Sequence, residues 1–475
     1  MQEQSHNNSR ARTFFKNFGI YTIGQLGQKI VNFLLLPLYT YFIVNPGDYG
    51  YWDLCLNFCM MFLPVATLQM RDSVFRFMYK QKDELESKRV FTFIASVIAS
   101  NLALSAAIAI IIALTWNPDY MWHTFALLVL MSVMEVYIQT IRAIGKNKTF
   151  VKMNILLTLL SGVLNVLFVG VFKWGIEGIF LATISARASV LIITELKLGI
   201  ARRYFSPKLW SLDLAKPIFA FCLPLLPYSI CWWIITAGGK FLLAHFNGLE
   251  AQGIYASASK FSAIVVTISG IFYQTWQESA LSEYNSPDRD KFFSNVFNSY
   301  TCALCLILIG YTITIKMCYP WLVGPNYQSS LIYVWPLGVS SIMFALTSFF
   351  DMGYQGSKQT FRSIPSVVLA VCVNLTLNLL LIKTYGIWGC VIAQIASYTV
   401  LIAYRWRDTN KYFYHLSFYP RTLVPVAVAL LSAIPFYFAS SVWLLSVIMV
   451  ALISVGILFC PPLISDKVKH LLHIK

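Results

Sequence analysis

The chain has 475 residues, of which 58% are hydrophobic and only 12% are charged, and its mean hydropathy is +0.65. Soluble globular proteins carry about 25% charged residues, so this composition excludes an ordinary soluble enzyme and a disordered protein. The net charge of +16 suggests a nucleic-acid partner only if the basic residues are not explained by membrane topology.

Apolar stretches long enough to cross a bilayer recur along the whole chain. A helix of about 20 residues spans the hydrocarbon core. Fourteen such stretches cover residues 17–43, 51–77, 90–115, 121–141, 151–172, 175–196, 217–244, 251–273, 293–315, 328–350, 361–382, 386–404, 421–440 and 442–463. The sequence therefore predicts an all-α polytopic membrane protein with about fourteen transmembrane helices.

The basic residues are distributed very unevenly between the two sides of this membrane protein. Twenty-seven of the 36, among them Arg405, fall on the side of the two termini, and three fall in the opposite loops. Because cytoplasmic loops are enriched in Lys and Arg, both termini are predicted to be cytoplasmic. Topology thus accounts for the net charge, and no nucleic-acid partner is expected.

Six basic residues remain inside spans or at their ends. A Lys or Arg at the centre of a transmembrane helix costs about 2.5–3.5 kcal/mol, so six of them cannot all face lipid. Those near helix ends could extend to the headgroups. The six residues are Lys29, Arg71, Arg76, Arg187, Lys240 and Lys260.

Lys29, Arg187 and Lys260 lie deepest in their spans. They predict either an internal aqueous cavity with positive charge or partly buried ion pairs with acidic residues of other spans. The acidic residues that could form such pairs, or could instead be proton or cation coupling sites, are Asp53, Glu135 and Asp351.

The sequence contains no pattern of an enzyme. Its longest extramembrane segment, residues 197–216, is too short for a catalytic domain. No metal-ligand spacing, phosphate-binding loop or catalytic triad is visible. Cys302 and Cys305 have metal-like spacing but lie within an apolar helix without a His partner, which favours buried hydrophobic side chains. No cofactor and no metal are expected.

An internal repeat relates the two halves of the chain. At an offset of 211 residues, Gly145–Phe150 aligns with Gly356–Phe361, and Gly175–Gly178 aligns with Gly386–Gly389. A repeat of six helices keeps the same orientation in both copies, which is a parallel repeat about the membrane normal. Such a pair of lobes encloses a site near the middle of the membrane and can alternate its opening.

The repeat sets the predicted domain boundaries. Residues 1–200 form an N-terminal six-helix lobe, residues 201–412 form a C-terminal six-helix lobe, and residues 413–475 form helices 13 and 14 with a cytoplasmic tail. A further landmark aligns Asp48–Tyr51 with Ala251–Tyr255 at an offset of 203, so the two copies differ slightly in length.

Several motifs, in order along the chain, resemble those of a known family. The segments are Leu36–Phe42 (LPLYTYF), Pro46–Gly50 (PGDYG), Leu223–Pro227 (LPLLP) and Gly253–Lys260 (GIYASASK). They are similar to motifs of Wzx-type O-antigen and polysaccharide flippases. These flippases are the polysaccharide transporter branch of the multidrug/oligosaccharidyl-lipid/polysaccharide exporter superfamily.

The resemblance implies a flippase for an undecaprenyl-pyrophosphate-linked oligosaccharide. Such a protein moves its substrate from the cytoplasmic to the periplasmic face of the inner membrane by alternating access through a cationic cavity. The product would feed O-antigen, capsule or exopolysaccharide assembly. Candidate partners, besides membrane lipids, are a polysaccharide polymerase and a chain-length regulator.

One departure from the family concerns the end of helix 7. Similar proteins often have an acidic residue beside a basic one there, whereas this chain has Gly238, Gly239 and Lys240. Lys240 keeps the positive charge without an acidic neighbour. The difference puts an ion-coupling role at this position in doubt.

Charge gives the expected mechanism, because an anionic lipid pyrophosphate cannot enter hydrocarbon unaided without a prohibitive desolvation cost. Lys29, Arg187 and Lys260 are the principal predicted substrate-binding residues, with Arg71 and Lys240 as further candidates. A wet and positively charged path of this kind would bind the pyrophosphate.

Other side chains are assigned roles around this path. Gln25 and Gln28 could bind sugar hydroxyls or bond to neighbouring helices. Pro224 and Pro227, within one span, are candidates for a hinge because each removes a backbone donor. Tryptophans near the extracytoplasmic ends are typical of an interfacial belt rather than a sugar-stacking platform. They are Trp116, Trp122, Trp174, Trp321, Trp388 and Trp443.

Three other functions are considered. A multidrug or metabolite antiporter of the same superfamily would favour acidic residues in its spans, where basic ones are in excess here. A membrane polysaccharide polymerase would be an enzyme with large extracytoplasmic loops, which are short in this chain. A scaffold for a glycan assembly complex is the third, and it is compatible with transport.

Overall fold

Helices make up most of the computed structural model. It describes residues 31–459 apart from Asn32, Lys80, Lys82, Asn117 and Ser440. In this part of the chain the helices are joined by short 3₁₀ and π turns, and there is no β-strand. The predicted substrate-binding residues Gln25, Gln28 and Lys29 lie outside the described residues.

The helices of the described region are numbered in chain order. They are α1 (Phe33–Phe42), α2 (Pro46–Ala66), α3 (Met70–Met78), α4 (Glu84–Thr115), α5 (Met121–Ala143), α6 (Asn147–Asn165), α7 (Gly175–Leu198), α8 (Ile200–Tyr204), α9 (Ala215–Cys222), α10 (Leu225–Trp233), α11 (Gly239–Glu283), α12 (Arg289–Leu322), α13 (Val334–Phe349), α14 (Asp351–Gly356), α15 (Ile364–Tyr385), α16 (Ile387–Tyr412), α17 (Leu423–Leu431), α18 (Ala433–Phe438) and α19 (Val442–Leu458).

The predicted all-α polytopic class is confirmed. Within the described residues, ten helical segments are long and apolar enough to cross a membrane. One of them, Leu225–Glu283, contains most of the predicted span 217–244 and all of the span 251–273. It is broken at Gly248, whose φ of 87° is accessible mainly to glycine. The predicted first and last spans are described only in part, as shorter apolar helices.

Two spans are less regular than their hydropathy predicts. The predicted span 51–77 is bent by 53° between α2 and α3, just after Pro64. The predicted span 217–244 contains a break between α9 and α10 at Leu223 and Pro224, and then a π turn over Ile234–Gly238. Proline and π turns are the usual causes of such irregularities in helices.

Contacts divide the chain into two compact units. Of the described residues, the first contains 31–43 and Tyr51–Trp233, and the second contains Val44–Gly50 and 234–459. In the first unit a buried apolar cluster joins α3, α4, α5, α7 and α9. It includes Val74, Ile94, Ile141, Val190 and Ile218, all fully buried. The lobe boundaries predicted at residues 200 and 412 stay predictions.

The second unit has an aromatic centre. The Trp276 ring of α11 stacks on Phe349 of α13 at 4.5 Å between centroids and meets the Phe293 ring of α12 edge-on at 4.9 Å. All three rings are buried. Because such ring pairs add to the apolar area that they bury, they fix the packing of α11, α12 and α13.

Two glycines allow a close backbone contact within the second unit. A Cβ atom on Gly50, near the start of α2, would overlap the carbonyl oxygen of Leu249. A Cβ atom on Gly253 of α11 would overlap the carbonyl oxygen of Pro46. Only glycine permits such an approach of helices. The two residues occupy corresponding places in the landmark segments of the predicted repeat.

The last helices of the described region pack on α12. Lys316 of α12 donates hydrogen bonds to the carbonyl oxygens of Pro435, Phe436 and Ala439, at the end of α18. A cation at a helix C-terminus satisfies carbonyl groups that have no partner within the helix. This contact ties the predicted helix 13 to the second unit.

Candidate functional site

Arg187 lies near the middle of α7 in the first unit and is half-buried. Its Nη1 atom donates to the carbonyl oxygen of Thr183 at 3.4 Å, a long hydrogen bond. It forms no ion pair with any residue that the structure describes. Since a guanidinium has five N–H donors, most of its hydrogen-bonding capacity remains unused.

Polar groups of other helices lie near Arg187. The Cys59 thiol of α2 and the Tyr39 phenol of α1 interact with its charge. Cys59 donates to the Thr124 carbonyl oxygen of α5 at 3.3 Å, and Tyr39 donates to Asn165 Oδ1 of α6 at 2.9 Å. Arg187 thus lies where side chains of several helices of the first unit meet.

Asp53, a predicted coupling residue, is buried on α2. Its Oδ2 atom accepts a hydrogen bond from Asn57 Nδ2 at 3.0 Å, and the carbonyl oxygen of Asn57 accepts one from Trp233 Nε1 at 3.1 Å. Asn57 thus connects Asp53 to Trp233 of α10 within the first unit.

Arg71 is a predicted substrate-binding residue and Glu135 a predicted coupling residue, and the structure brings the two side chains together. Arg71 Nη1 lies 3.6 Å from Glu135 Oε2, and its Nε lies 3.8 Å from Asp72 Oδ1. All three side chains are about one-third exposed. The distances favour the alternative that Glu135 is a structural partner of a nearby base.

Asp351, the third predicted coupling residue, belongs to a buried ion pair of the second unit. Its Oδ1 atom lies 2.7 Å from Nη1 of Arg405, whose side chain is 0% exposed. Arg405 also donates to the Thr347 carbonyl oxygen at 2.9 Å and to Ser366 Oγ at 3.2 Å. Helices α13, α14 and α15 therefore supply the partners of this α16 residue.

The position of Arg405 corrects the sequence analysis, which assigns it to a cytoplasmic loop. Helix α16 continues eight residues beyond the predicted span, to Tyr412, and Arg405 is buried within it. In the structure, fully buried positions recur every four residues on one face of α16, and Arg405 is the last of them. They are Ala393, Ser397, Leu401 and Arg405.

Lys240 lines a small polar cavity inside the second unit. The cavity measures about 10 Å³, the space of about one water molecule. Two buried amides lie in its wall, and Asn378 donates to Asn374 Oδ1 at 2.8 Å. Asn378 Oδ1 itself has no hydrogen-bond partner among the described residues. Lys240 therefore lines a polar interior rather than only a headgroup layer.

The remaining predicted residues lie on α11, on α10 and in the break that precedes α10. Lys260 is half-buried on α11. Pro224 lies in the break before α10 and Pro227 lies in the first turn of that helix. The π turn Ile234–Gly238 follows α10 and ends two residues before Lys240. No group of three His, Cys, Asp or Glu side chains in the described part of the chain could hold a metal ion.

The geometry separates two kinds of membrane cation. Arg71 and Arg405 have carboxylate partners, so their charges are balanced within one unit. Among the described residues, the only hydrogen-bond acceptor of Arg187 is a backbone carbonyl oxygen, so its guanidinium can bind an additional anion.

Comparisons with known proteins address the family and the fold. A sequence model of a family described as "Polysaccharide biosynthesis protein" matches residues 14–276. A search of curated proteins gives no significant match.

Solved structures agree with the fold along most of the chain. The lipid II flippase MurJ, in an inward closed conformation, matches with a TM-score of 0.70 at 12% identity, covering 95% of this chain and 99% of that chain. An inward-facing multidrug resistance transporter of the MATE family, in the MOP superfamily, matches with a TM-score of 0.61 at 12% identity, covering 81% and 95%. The MATE multidrug transporter DinF-BH, solved as a complex, has a TM-score of 0.56 at 15% identity, covering 84% and 96%.

At these identities the structural similarity shows the fold alone. It confirms a multi-pass membrane protein with two lobes of the kind found in MurJ and MATE transporters. Since the family match covers more than half of the 475 residues, this chain belongs to the polysaccharide biosynthesis protein family.

Proposed function

We propose that this protein is a flippase for a lipid-linked oligosaccharide carried on undecaprenyl pyrophosphate. It moves the substrate from the cytoplasmic to the periplasmic face of the bacterial inner membrane, for O-antigen, capsule or exopolysaccharide assembly. The observation that carries this proposal is Arg187, a half-buried cation at the centre of a membrane helix without an ion-pair partner among the described residues.

An isolated membrane cation needs a physical reason. Keeping an arginine at this depth costs about 2.5–3.5 kcal/mol on insertion scales. A carboxylate on a neighbouring helix could reduce that cost, as Asp351 does for Arg405. A transporter of anions benefits from a guanidinium that remains available, because it forms bidentate hydrogen bonds with phosphate oxygens.

Several further residues belong to the proposed path. The positive charge would be extended along the route of the pyrophosphate by Lys260 and Lys240 and by Lys29, a residue outside the described region. Gln25 and Gln28 would bind sugar hydroxyls. Alternating access would use the irregular segment from Pro224 to the π turn at Ile234–Gly238, where helix hydrogen bonding is interrupted.

The sidedness and the partners follow from the same proposal. The excess of basic residues in the loops on the side of the termini supports a cytoplasmic position for both termini. The flipped substrate would be delivered on the periplasmic side to a polysaccharide polymerase and its chain-length regulator. The protein itself would be a transporter and not an enzyme.

A multidrug antiporter is the second candidate, favoured by the fold that this chain shares with MATE transporters. An organic cation would require available carboxylates in the membrane. Glu135 and Asp351 are both paired with arginines, which favours an anionic substrate instead.

The test is the double variant Arg187→Gln/Lys260→Gln in cells. We expect normal membrane insertion, loss of the surface polymer, and accumulation of lipid-linked oligosaccharide on the cytoplasmic face, measured by its accessibility to an added glycosidase in inside-out vesicles. The matched control, Arg202→Gln/Lys208→Gln, removes two charges from the exposed cytoplasmic segment and should keep full transport. Full activity of the first double variant would eliminate the cationic path.

A further inference from the structure

The second unit contains an open groove at the end that the charge distribution assigns to the periplasm. Its volume is about 310 Å³, within the range of small-molecule sites. Three turns of the chain form it: the break at Gly248 in α11, the 3₁₀ segment Pro325–Tyr333, and the start of α16. Its lining includes Asn247, Glu250, Ile254, Ser329, Tyr333 and Ile387.

The polar side chains of this groove are available to a ligand. Asn247, Glu250 and Ser329 are exposed, and none of them makes a side-chain hydrogen bond or an ion pair with the described residues. The next residue, Ser330, is buried and bonded to Ser257 Oγ at 2.7 Å. The groove therefore presents one carboxylate, one amide and one hydroxyl above a rigid, internally bonded layer.

An aromatic ring forms one wall of the groove. Tyr333 is half-buried and meets the Trp388 ring edge-on, at 5.3 Å between centroids. The segment that carries it is held by Tyr437, whose hydroxyl donates to the Ile332 carbonyl oxygen at 2.9 Å. The ring is thus fixed before any ligand arrives, which lowers the entropy cost of binding.

Trp388 differs from the other tryptophans that the sequence assigns to an interfacial belt. The other five, Trp116, Trp122, Trp174, Trp321 and Trp443, are 47–82% exposed, as expected of side chains in a headgroup layer. Trp388 is only half-exposed and packs on Tyr333. Its place behind the groove wall accounts for the difference.

We infer that this groove binds carbohydrate and holds part of the oligosaccharide on the periplasmic side after translocation. Sugars present apolar C–H faces and a ring of hydroxyl groups. The apolar faces can pack on the Tyr333 ring, Ile254 and Ile387. The hydroxyl groups can form hydrogen bonds with Asn247, Glu250 and Ser329, whose side chains make none with the described residues. The inference rests on the proposed function and on its sidedness. It adds a sugar contact formed by residues other than those of the proposed cationic path.

The test uses oligosaccharide fragments obtained by mild acid hydrolysis of the host's surface polysaccharides, which carry neither lipid nor pyrophosphate. Binding to the purified protein in lipid nanodiscs is measured by saturation-transfer NMR and calorimetry. Tyr333→Leu should weaken binding about fivefold, since an aromatic contact contributes on this scale. Tyr333→Phe should bind like the unchanged protein, and Glu250→Gln should weaken binding about twofold.

Trp321→Leu is the matched control, because it removes a 74% exposed ring in the same unit that does not line the groove. It should leave binding unchanged, and an unaltered thermal midpoint for each variant shows that the fold is intact. Absence of fragment binding, or equal binding by Tyr333→Leu, would overturn the inference. Flipping is measured in parallel and tests the proposed function separately. Flipping without fragment binding would contradict only the inference that the groove binds carbohydrate.

Discussion

Two arginines, one in each unit, show how differently this protein treats a charge inside the membrane. Arg405 of the second unit is completely buried and binds Asp351, Thr347 and Ser366. Arg187 of the first unit is half-buried, and its hydrogen bond is a long one to a backbone carbonyl. The residue type and the apolar context are the same, but the partners differ.

The partners of a charge inside the membrane distinguish a structural role from a functional one. A buried arginine with a carboxylate and two further acceptors is compensated, so removing one partner leaves an unbalanced charge. An arginine without such partners contributes little to stability and remains available to an external anion. Stability and transport should therefore respond in opposite ways to substitutions at the two sites.

The largest expected effect is on the stability of the second unit. Asp351→Asn leaves Arg405 buried without its counter-charge, and we expect a loss of about 3–5 kcal/mol in the free energy of unfolding. The measurement is thermal or detergent unfolding of the purified protein. The double variant Asp351→Leu/Arg405→Met, which removes both charges, should regain most of this loss. Equal stability of Asp351→Asn and the unchanged protein would contradict the structural role.

A smaller effect is expected at the pair between Arg71 and Glu135. Its side chains are about one-third exposed and its closest N–O distance is 3.6 Å, so solvent weakens the interaction. Glu135→Gln should cost about 1 kcal/mol or less and should leave transport largely intact. A loss of transport with unchanged stability would instead support ion coupling at Glu135. The readouts are surface polymer yield and unfolding of the purified protein.

Arg187→Gln is expected to have the smallest effect on stability and the largest effect on transport. Removing a charge that has no ion-pair partner among the described residues breaks no ion pair, so it should lower the free energy of unfolding by no more than about 1 kcal/mol. Polymer yield should nevertheless fall to the level of a deletion strain. Arg187→Lys keeps the charge without the planar fork and should be partly active. A clear loss of stability in Arg187→Gln would show that Arg187 is structural after all.

Hydropathy and basic residues predicted much of this fold and part of its candidate site. Helix α7 and the position of Arg187 within it could be read from apolar stretches alone. Arg405 could not, because it follows an apolar stretch and resembles a residue of a cytoplasmic loop. Lys240 likewise looked like a side chain near a helix end, whereas it lines a polar cavity with Asn374 and Asn378.

The close contact of Gly50 and Gly253 shows the same limit. The sequence aligned their segments as copies of a repeat, but it did not indicate that the two backbones touch. Whether two backbones touch depends on how helices that are far apart in the sequence cross each other. A sequence repeat gives no distance between its two copies.

By itself, the sequence determined that this chain resides in a membrane as a bundle of helices, because the cost of exposing apolar side chains to water depends on composition and segment length alone. The tertiary structure alone decided which charges are balanced. Coulombic energy and hydrogen bonding depend on distances of a few ångströms between side chains of different helices, and those distances exist only after the helices have packed.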